Sequence, residues 1–378
     1  MKEKLFIYSP ELEEGGYPAD CPFNTHRPGR VRQTLVSMGL LEGSDRGEAP
    51  SQPLSDEELR WYHTEDYLAA LDRAGRGDLA PLEALQYGLG TPDCPIFKDM
   101  LPYNRLSAGG TVTGARAILE DGVRFAFNPA GGFHHAMPAN AAGFCYLNDV
   151  VLGAMVLADA GKHVLFLDID VHHCDGVEHA FYERPDVMTV SMHESGKTLF
   201  PGTGAVEDIG RGAGRGYTVN IPLPVGTHDA IYRKAFRTGV LPLMEAFDPD
   251  AIMIEIGMDA LAGDPLAHLH LTNNTHADIL GEVMQLGKPI VATGGGGYNV
   301  ENTVRGWALC WSVFCGDQQD HDDLMIGMGG VMMESTEWSG GLRDRVLLAD
   351  GGRRREIDAE IEGALEFIKR VVFPVHGL

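Results

Sequence analysis

The chain runs to 378 residues, 44% of them hydrophobic, and its 54 acidic residues against 30 basic ones give a formal charge of −24. That length fits one large α/β domain or two smaller ones, and the apolar share is enough for a packed core. The acidic balance repels a phosphate backbone and so argues against direct nucleic-acid binding; beyond solubility, it favours cationic ligands such as polyamines or lysine-rich peptides.

At the N-terminus, MKEKLFIYSPELEEGG has too short an apolar stretch for a secretory signal, and no run approaches the ~20 apolar residues of a membrane span. The six cysteines, Cys21, Cys94, Cys145, Cys174, Cys310 and Cys315, form no CxxC pair. This argues against a disulfide framework or a cysteine-rich zinc module and points to a reducing cytoplasm. Short β-branched runs predict strands: LFIYS near residue 5, VRFAF near 123, HVLFLDI near 163, VMTVSM near 187, YTVNI near 217, AIMIEI near 251 and PIVAT near 289. Helices are predicted between them over 148–160, 175–184, 228–247 and 275–287, the last opened by an Asn-Asn-Thr cap and closed by Gly287. Strands alternating with helices imply an α/β fold, three-layer α/β/α around a mostly parallel central sheet. The stretch from about 316 to 353 reads as irregular and a final helix is predicted from about 355 to 372, giving one domain with a C-terminal appendage.

Ligands of an open parallel sheet collect beyond the carboxyl ends of its strands. There the sequence places NPAGGFHH after VRFAF, DIDVHHCDG after VLFL, SMHES after VMTV, GMDALAGDP after IMIEI and GGGGY after IVAT. The strand period of two puts Asp168, Asp170 and His172 on one face. Two carboxylates and an imidazole are costly to bury unpaired, so they require a cation or a hydrogen-bonded network capping the strand end. Asp259 reaches the same rim, and a mixed oxygen–nitrogen set suits a catalytic zinc with open positions, making Asp170, His172 and Asp259 the candidate ligands of a metal-dependent hydrolase. His134 and His135 follow a Gly-Gly turn and read either as surface loop histidines or as rings oriented by nearby aspartates. Tyr298 follows Gly294 to Gly297; with no GK[ST] after it, the run is a poor phosphate loop and a better platform from which the hydroxyl could donate to an oxyanion.

Two other carboxylate patterns fit less well. The nucleophile strand of haloacid-dehalogenase phosphatases wants Thr or Val where this chain has His172, and binuclear manganese ureohydrolases need a carboxylate at Cys174 and another beyond Asp259, where Ala and Leu stand. In order, GGFHHAMPANAAGFCYLNDV, DIDVHHCDGVEHAFY, FPGTG, GMDALAGDPL and GGGGYN resemble the histone deacetylase superfamily over about residues 15–315. The remainder, with GLGTPDCP and WSGGLRD, resembles its prokaryotic acetoin-utilisation branch.

The resemblance implies an arginase/deacetylase-type fold and zinc, with ferrous iron as the alternative, on Asp170, His172 and Asp259. It implies His135 as general base with Asp175 as its partner, His134 paired with Asp168 as electrostatic helper, and Tyr298 as clamp on the scissile carbonyl. Gly143, Phe144 and Phe200 resemble tunnel walls, Leu266 its mouth, and Asp93 the rim aspartate that grips the substrate backbone. A structural potassium site is implied at Asp168, Asp170, His172, Ser191 and Met192, and a remote one near Phe181, Arg184, Val187 and Tyr217. Arg30 matches the arginine of an internal exit cavity, although a surface helix position is the alternative. Cys174 stands where glycine is usual and is expected to pack behind the metal without ligating it; Met258 is expected to narrow the space beside Asp259. The implied reaction is hydrolysis of an acylated amine, N6-acetyl-lysine in proteins or peptides, with small acetylated polyamines or a non-catalytic acyl-lysine-binding scaffold as alternatives.

Overall fold

The computed structural model describes residues 2–317, 341–345, 347 and 351–378. Each predicted apolar run forms a strand, and one strand was not foreseen: β1 (Lys4–Ile7), β2 (Arg46–Ala49), β3 (Phe125–Asn128), β4 (Val164–Asp168), β5 (Val187–Glu194), β6 (Thr218–Leu223), β7 (Ala251–Glu255) and β8 (Ile290–Thr293). The unforeseen β2, RGEA, is a four-residue edge strand with no apolar run to announce it. All eight pair in parallel in the order β2-β1-β3-β8-β7-β4-β5-β6.

Alternation sorts the side chains into two cores. Val164 and Phe166 of β4 join Ala251, Met253 and Val291 beneath the helices Asp149–Asp159 and Asp175–Phe181. Leu165 and Leu167 join Ile252, Ile254 and Ala292 against the helices Arg27–Ser37, Asn273–Gln285 and Val300–Cys315. Both faces are covered, which is why β4 and β5 are buried at every position. A third cluster, around Tyr67, Leu71, Met100 and Tyr146, packs at one side. No described helix is long and apolar enough to cross a membrane.

The helix boundaries depart from the sequence expectation for local reasons. The span 228–247 is interrupted: a π-helical turn, Phe236–Val240, separates Asp229–Ala235 from Leu241–Phe247, and Pro242 has no N–H to continue the α-helical ladder. The helix expected over 175–184 stops at Phe181, ahead of Pro185. The expected Asn-Asn-Thr cap moves to Thr272, whose hydroxyl meets Asp229 Oδ2 at 2.9 Å, while Asn273 Nδ2 donates to the Leu342 carbonyl at 2.8 Å. The last helix begins at Gly351 and docks Ile357, Ile361, Leu365 and Ile368 on the larger core. Most of the stretch expected to be irregular, and the start of WSGGLRD, lie outside the described residues.

Four adjacent strands, β3, β8, β7 and β4, carry the chemical motifs at their carboxyl ends. They occupy the middle of the sheet, where chain order breaks twice and crossovers leave a crevice.

Candidate active site

β4 ends at Asp168, so the period-two reading does not extend to Asp170 and His172; these lie on a bent loop that hydrogen bonds hold. Asp168 Oδ1 accepts the Asp170 N–H at 2.9 Å, Asp170 Oδ1 accepts the His172 N–H at 2.9 Å, and Asp259 Oδ1 accepts the Val171 N–H at 3.0 Å. The bends turn Asp170, His172 and Asp259 toward one point, with one donor atom of each within 4.8 Å of the others. All three are buried. His172 Nδ1 stands 3.2 Å from Asp170 Oδ1 and 3.0 Å from Asp259 Oδ2. Burial opposes a charge on this ring, but the hydrogen bonds to the two carboxylates prevail and raise it to about 10. Burial, followed by the charge of Asp170, pushes Asp259 up to about 7. Two buried carboxylates thus face one imidazolium, a place whose charge a divalent ion would balance better, and the donor set fits one.

Two histidine–carboxylate pairs flank this point. Asp149, at the start of its helix, accepts the N–H groups of Gly132 and Phe133 and the Thr111 hydroxyl, and so fixes the Gly-Gly turn that projects His134 and His135. Neither histidine is a surface loop residue. His134 Nδ1 meets Asp168 Oδ2 at 2.8 Å, and His135 Nδ1 meets Asp175 Oδ1 at 2.7 Å. Their Nε2 atoms are 3.0 Å apart. Burial lowers both, but the Asp168 carboxylate reverses the result at His134 and raises it to about 9. At His135, burial and the neighbouring His134 charge win, leaving it at about 4. At neutral pH one ring is a cation and its neighbour a free base.

The glycine run after β8 closes the other side. A Cβ on Gly296 would collide with Asp259 Oδ2, while the Gly296 N–H donates to Asp170 Oδ2 at 2.7 Å. Only an unsubstituted backbone fits against both carboxylates. Tyr298 follows, its ring 6.4 Å from that of His172. Burial and the charges of Asp259 and Asp170 hold its hydroxyl well above the usual phenol range, so it remains a donor.

Beneath the run lies an arginine, but not Arg30. Arg30 is about half exposed and pairs with Glu301 at 2.6 Å, as a surface helix cation would. Arg27, three residues earlier, is buried and donates to the carbonyls of Gly297 at 2.9 Å and Gly295 at 3.0 Å, with its guanidinium 4.3 Å from the Phe23 ring. Met258 is buried in the larger core, with its sulfur where a Cβ on Gly306 would fall. Cys174 lies in the apolar cluster under β4, and burial with the charges of Asp168 and Glu178 keeps it a thiol.

Phe144 stands close to Tyr298, and Phe200 to His135. Phe200 is 45% exposed and its ring lies 4.9 Å from His135; Phe144 lies 5.5 Å from Tyr298, and a Cβ on Gly143 would touch both His135 and Phe200. Asp93 Oδ2 accepts the Gly143 N–H at 2.9 Å, and Leu266 and Tyr298 are each partly buried against the side cluster. Of the potassium candidates, Asp168 and Ser191 are register partners across β4 and β5, and the Met192 carbonyl accepts the Tyr232 hydroxyl at 3.3 Å. At the remote set, the Phe181 carbonyl accepts the Arg184 N–H at 2.9 Å, the Tyr217 carbonyl accepts the Thr189 N–H at 2.8 Å, and Val187 pairs with Val164.

Sequence reading passed over two acids. Glu255, the one charged residue of β7, is fully buried with Oε1 3.1 Å from His134 Nδ1, yet neither oxygen completes a hydrogen bond among the described residues. Burial, with Asp168 and Asp170 close by, pushes its carboxyl well above the usual range. Asp264 accepts the N–H groups of Leu266 at 2.9 Å and Tyr298 at 2.8 Å, tying two loops of the site together. A charge inside an apolar strand was the available signal for Glu255.

Residues 21–314 match the model of the histone deacetylase domain. The chain is 38% identical over 306 residues to histone deacetylase RPD3 of Saccharomyces cerevisiae, covering 80% of this chain and 70% of the relative. It is 38% identical over 330 residues to the acetoin utilization protein AcuC of Bacillus subtilis, covering 85% and 84%. A crystal structure of an HDAC homolog complexed with SAHA is 30% identical with a TM-score of 0.84, covering 98% of this chain and 100% of that one.

Proposed function

The chain belongs to the histone deacetylase family, and from that premise we propose that it is a zinc-dependent hydrolase releasing acetate from N6-acetyl-lysine in proteins or peptides. The observation that carries the reading is the convergence of two buried carboxylates and one imidazole beside a free-base histidine and a protonated tyrosine. Held by Asp170, His172 and Asp259, zinc would act as a Lewis acid and bring the acidity of water into the neutral range; ferrous iron fits the same donors. His135, neutral and oriented through Nδ1 by Asp175, takes a proton from the attacking water at Nε2 and returns it to the leaving amine. His134 carries its positive charge beside that exchange, anchored by Asp168. The Tyr298 hydroxyl donates to the carbonyl oxygen as negative charge develops there.

Phe144 and Phe200 flank the lysine methylenes, with Gly143 leaving room between wall and base and Leu266 at the mouth. Asp93, already bonded to one wall through Oδ2, offers its other oxygen to the substrate backbone. Structural potassium belongs to the same reading: one ion at Asp168, Asp170, His172, Ser191 and Met192, and a second near Phe181, Arg184, Val187 and Tyr217. The whole chain is read as one deacetylase domain with a C-terminal appendage. Leu266, an apolar residue, supports acyl-lysine over a polyamine, whose second cation would be better served by an acid.

The test is acetate release from an acetyl-lysine peptide. It should be lost on chelation, restored by zinc, and reduced by about 10²-fold or more in His135→Ala at unchanged metal content. Full activity in that variant would remove the assigned base, and no release from any acylated amine would leave a binding scaffold.

A further inference from the structure

The segments carrying Phe200 and Leu266 come from different parts of the chain, and both are tied to one buried carboxylate. Glu194 ends β5 with a side chain 0% exposed, and its N–H donates to the Val171 carbonyl at 2.8 Å, between Asp170 and His172. Oε1 accepts the Thr198 hydroxyl at 2.9 Å, two residues before Phe200, and faces His268 Nδ1 at 3.0 Å. Oε2 accepts the His268 N–H at 2.9 Å, two residues after Leu266. Asp264 holds the Leu266 N–H itself, and Gly226 donates to the His268 carbonyl at 2.9 Å. The Leu266 segment is therefore pinned on both sides, and one of those pins also fixes the segment leading to Phe200.

We infer that Glu194 is a positioning residue that determines amine specificity: it sets the separation of Phe200 from Leu266, so that the opening admits the unbranched stem of an acylated alkylamine and rejects branched or aromatic amines. The inference rests on the acylamine reading of the site. A buried carboxyl with three donors aimed at it is the one group common to both segments; its removal takes the acceptor from the two His268 groups and leaves the Thr198 hydroxyl with the Ser195 carbonyl at 3.0 Å, so the tie it makes between the two segments is lost. The donors at Asp170, His172 and Asp259 keep their own partners, so the change falls on substrate fit.

Kinetics on an acetyl-lysine peptide and on an N-acetyl amine branched next to nitrogen test this in Glu194→Ala, Glu194→Gln and His268→Ala. Glu194→Ala should raise KM for the linear substrate about tenfold with kcat within about threefold, and shrink the linear-to-branched preference about tenfold. Glu194→Gln, which keeps an acceptor oxygen, should fall between wild type and Ala. Binding of two hydroxamate probes, one with a linear and one with a branched linker, reads the same preference without turnover, alongside metal content and a thermal transition to establish folding. A preference that stays put in both assays overturns the inference, as does a kcat loss that tracks lost metal. If the wild type turns over neither substrate while the probe preference still shifts, the clamp stands and the deacylase reading falls.

Discussion

The floor of the site and its rim are built by opposite means. At the floor, polar groups are buried and mostly paired twice over: Asp170 is held by backbone N–H groups from two loops, and each of the two histidines before Ala136 has its own aspartate. At the rim of the proposed site, Phe200 is 45% exposed and Leu266 is half-buried, and the carboxylates that hold their segments are Glu194, through Thr198 and His268, and Asp264, through the Leu266 N–H. A floor of this kind has one geometry and specifies a reaction; a rim held at a few points can change its width without disturbing the chemistry beneath.

The largest expected effect comes from breaking the floor. Asp170→Asn should lose the bound metal and lower acetate release by about 10³-fold or more, measured by metal analysis beside a turnover assay. Retained metal with retained turnover would dissolve the distinction between floor and rim. Tyr298→Phe should lower kcat about 10²-fold with KM within a few-fold, since its hydroxyl serves the developing charge. A rise in KM at constant kcat would move Tyr298 from the floor to the rim.

The next effect is a displacement of the pH profile. His135 must be neutral to take a proton, so activity rises as pH climbs through its range, which burial and His134 lower to about 4. His134 must stay charged, so activity falls as pH climbs through its own range, raised to about 9 against burial by Asp168. Asp168→Asn removes the group that raises His134, and the alkaline limb of kcat/KM should move to lower pH, while the acid limb, which the His134 charge holds down, should move up as that charge is lost. An unmoved alkaline limb would separate His134 from that limb.

The smallest contrast is between two arginines. Arg27→Ala strips a buried cation from the carbonyls of Asn24, Gly295 and Gly297 and from the rings of Phe23 and Trp307, and should cost about 2–4 kcal/mol of stability by denaturant titration. Arg30→Ala breaks an exposed pair and should cost at most about 0.5 kcal/mol. Equal losses would mean that burial does not separate them.

Legibility follows the same division. Asp170, His172, Asp259 and the paired histidines could be found because they follow within a few residues of the carboxyl ends of apolar strands, where a cluster of charges is conspicuous. Phe144, Phe200 and Leu266 came only from resemblance, since an apolar residue in a loop carries no chemical mark. Arg27 and Arg30 sit one helical turn apart in HRPGR, and which of them turns inward depends on the entry angle of a helix, a tertiary fact. β2 was invisible because an edge strand needs no apolar run. The π-helical turn before Leu241 was foreshadowed by Pro242, whose effect on the ladder a run of helix-forming residues conceals.

The four glycines before Tyr298 have a consequence for how this gene can vary. A Cβ on Gly294 would meet the Pro129 carbonyl, on Gly295 the Glu255 and Asp170 carboxylates, on Gly296 Asp259, and on Gly297 the Thr303 hydroxyl. Alanine is the smallest change a glycine codon can make, and at each of the four it already brings a clash. A library of single substitutions should therefore show four consecutive columns in which no replacement survives selection for activity, a gap wider than the ligand positions themselves create.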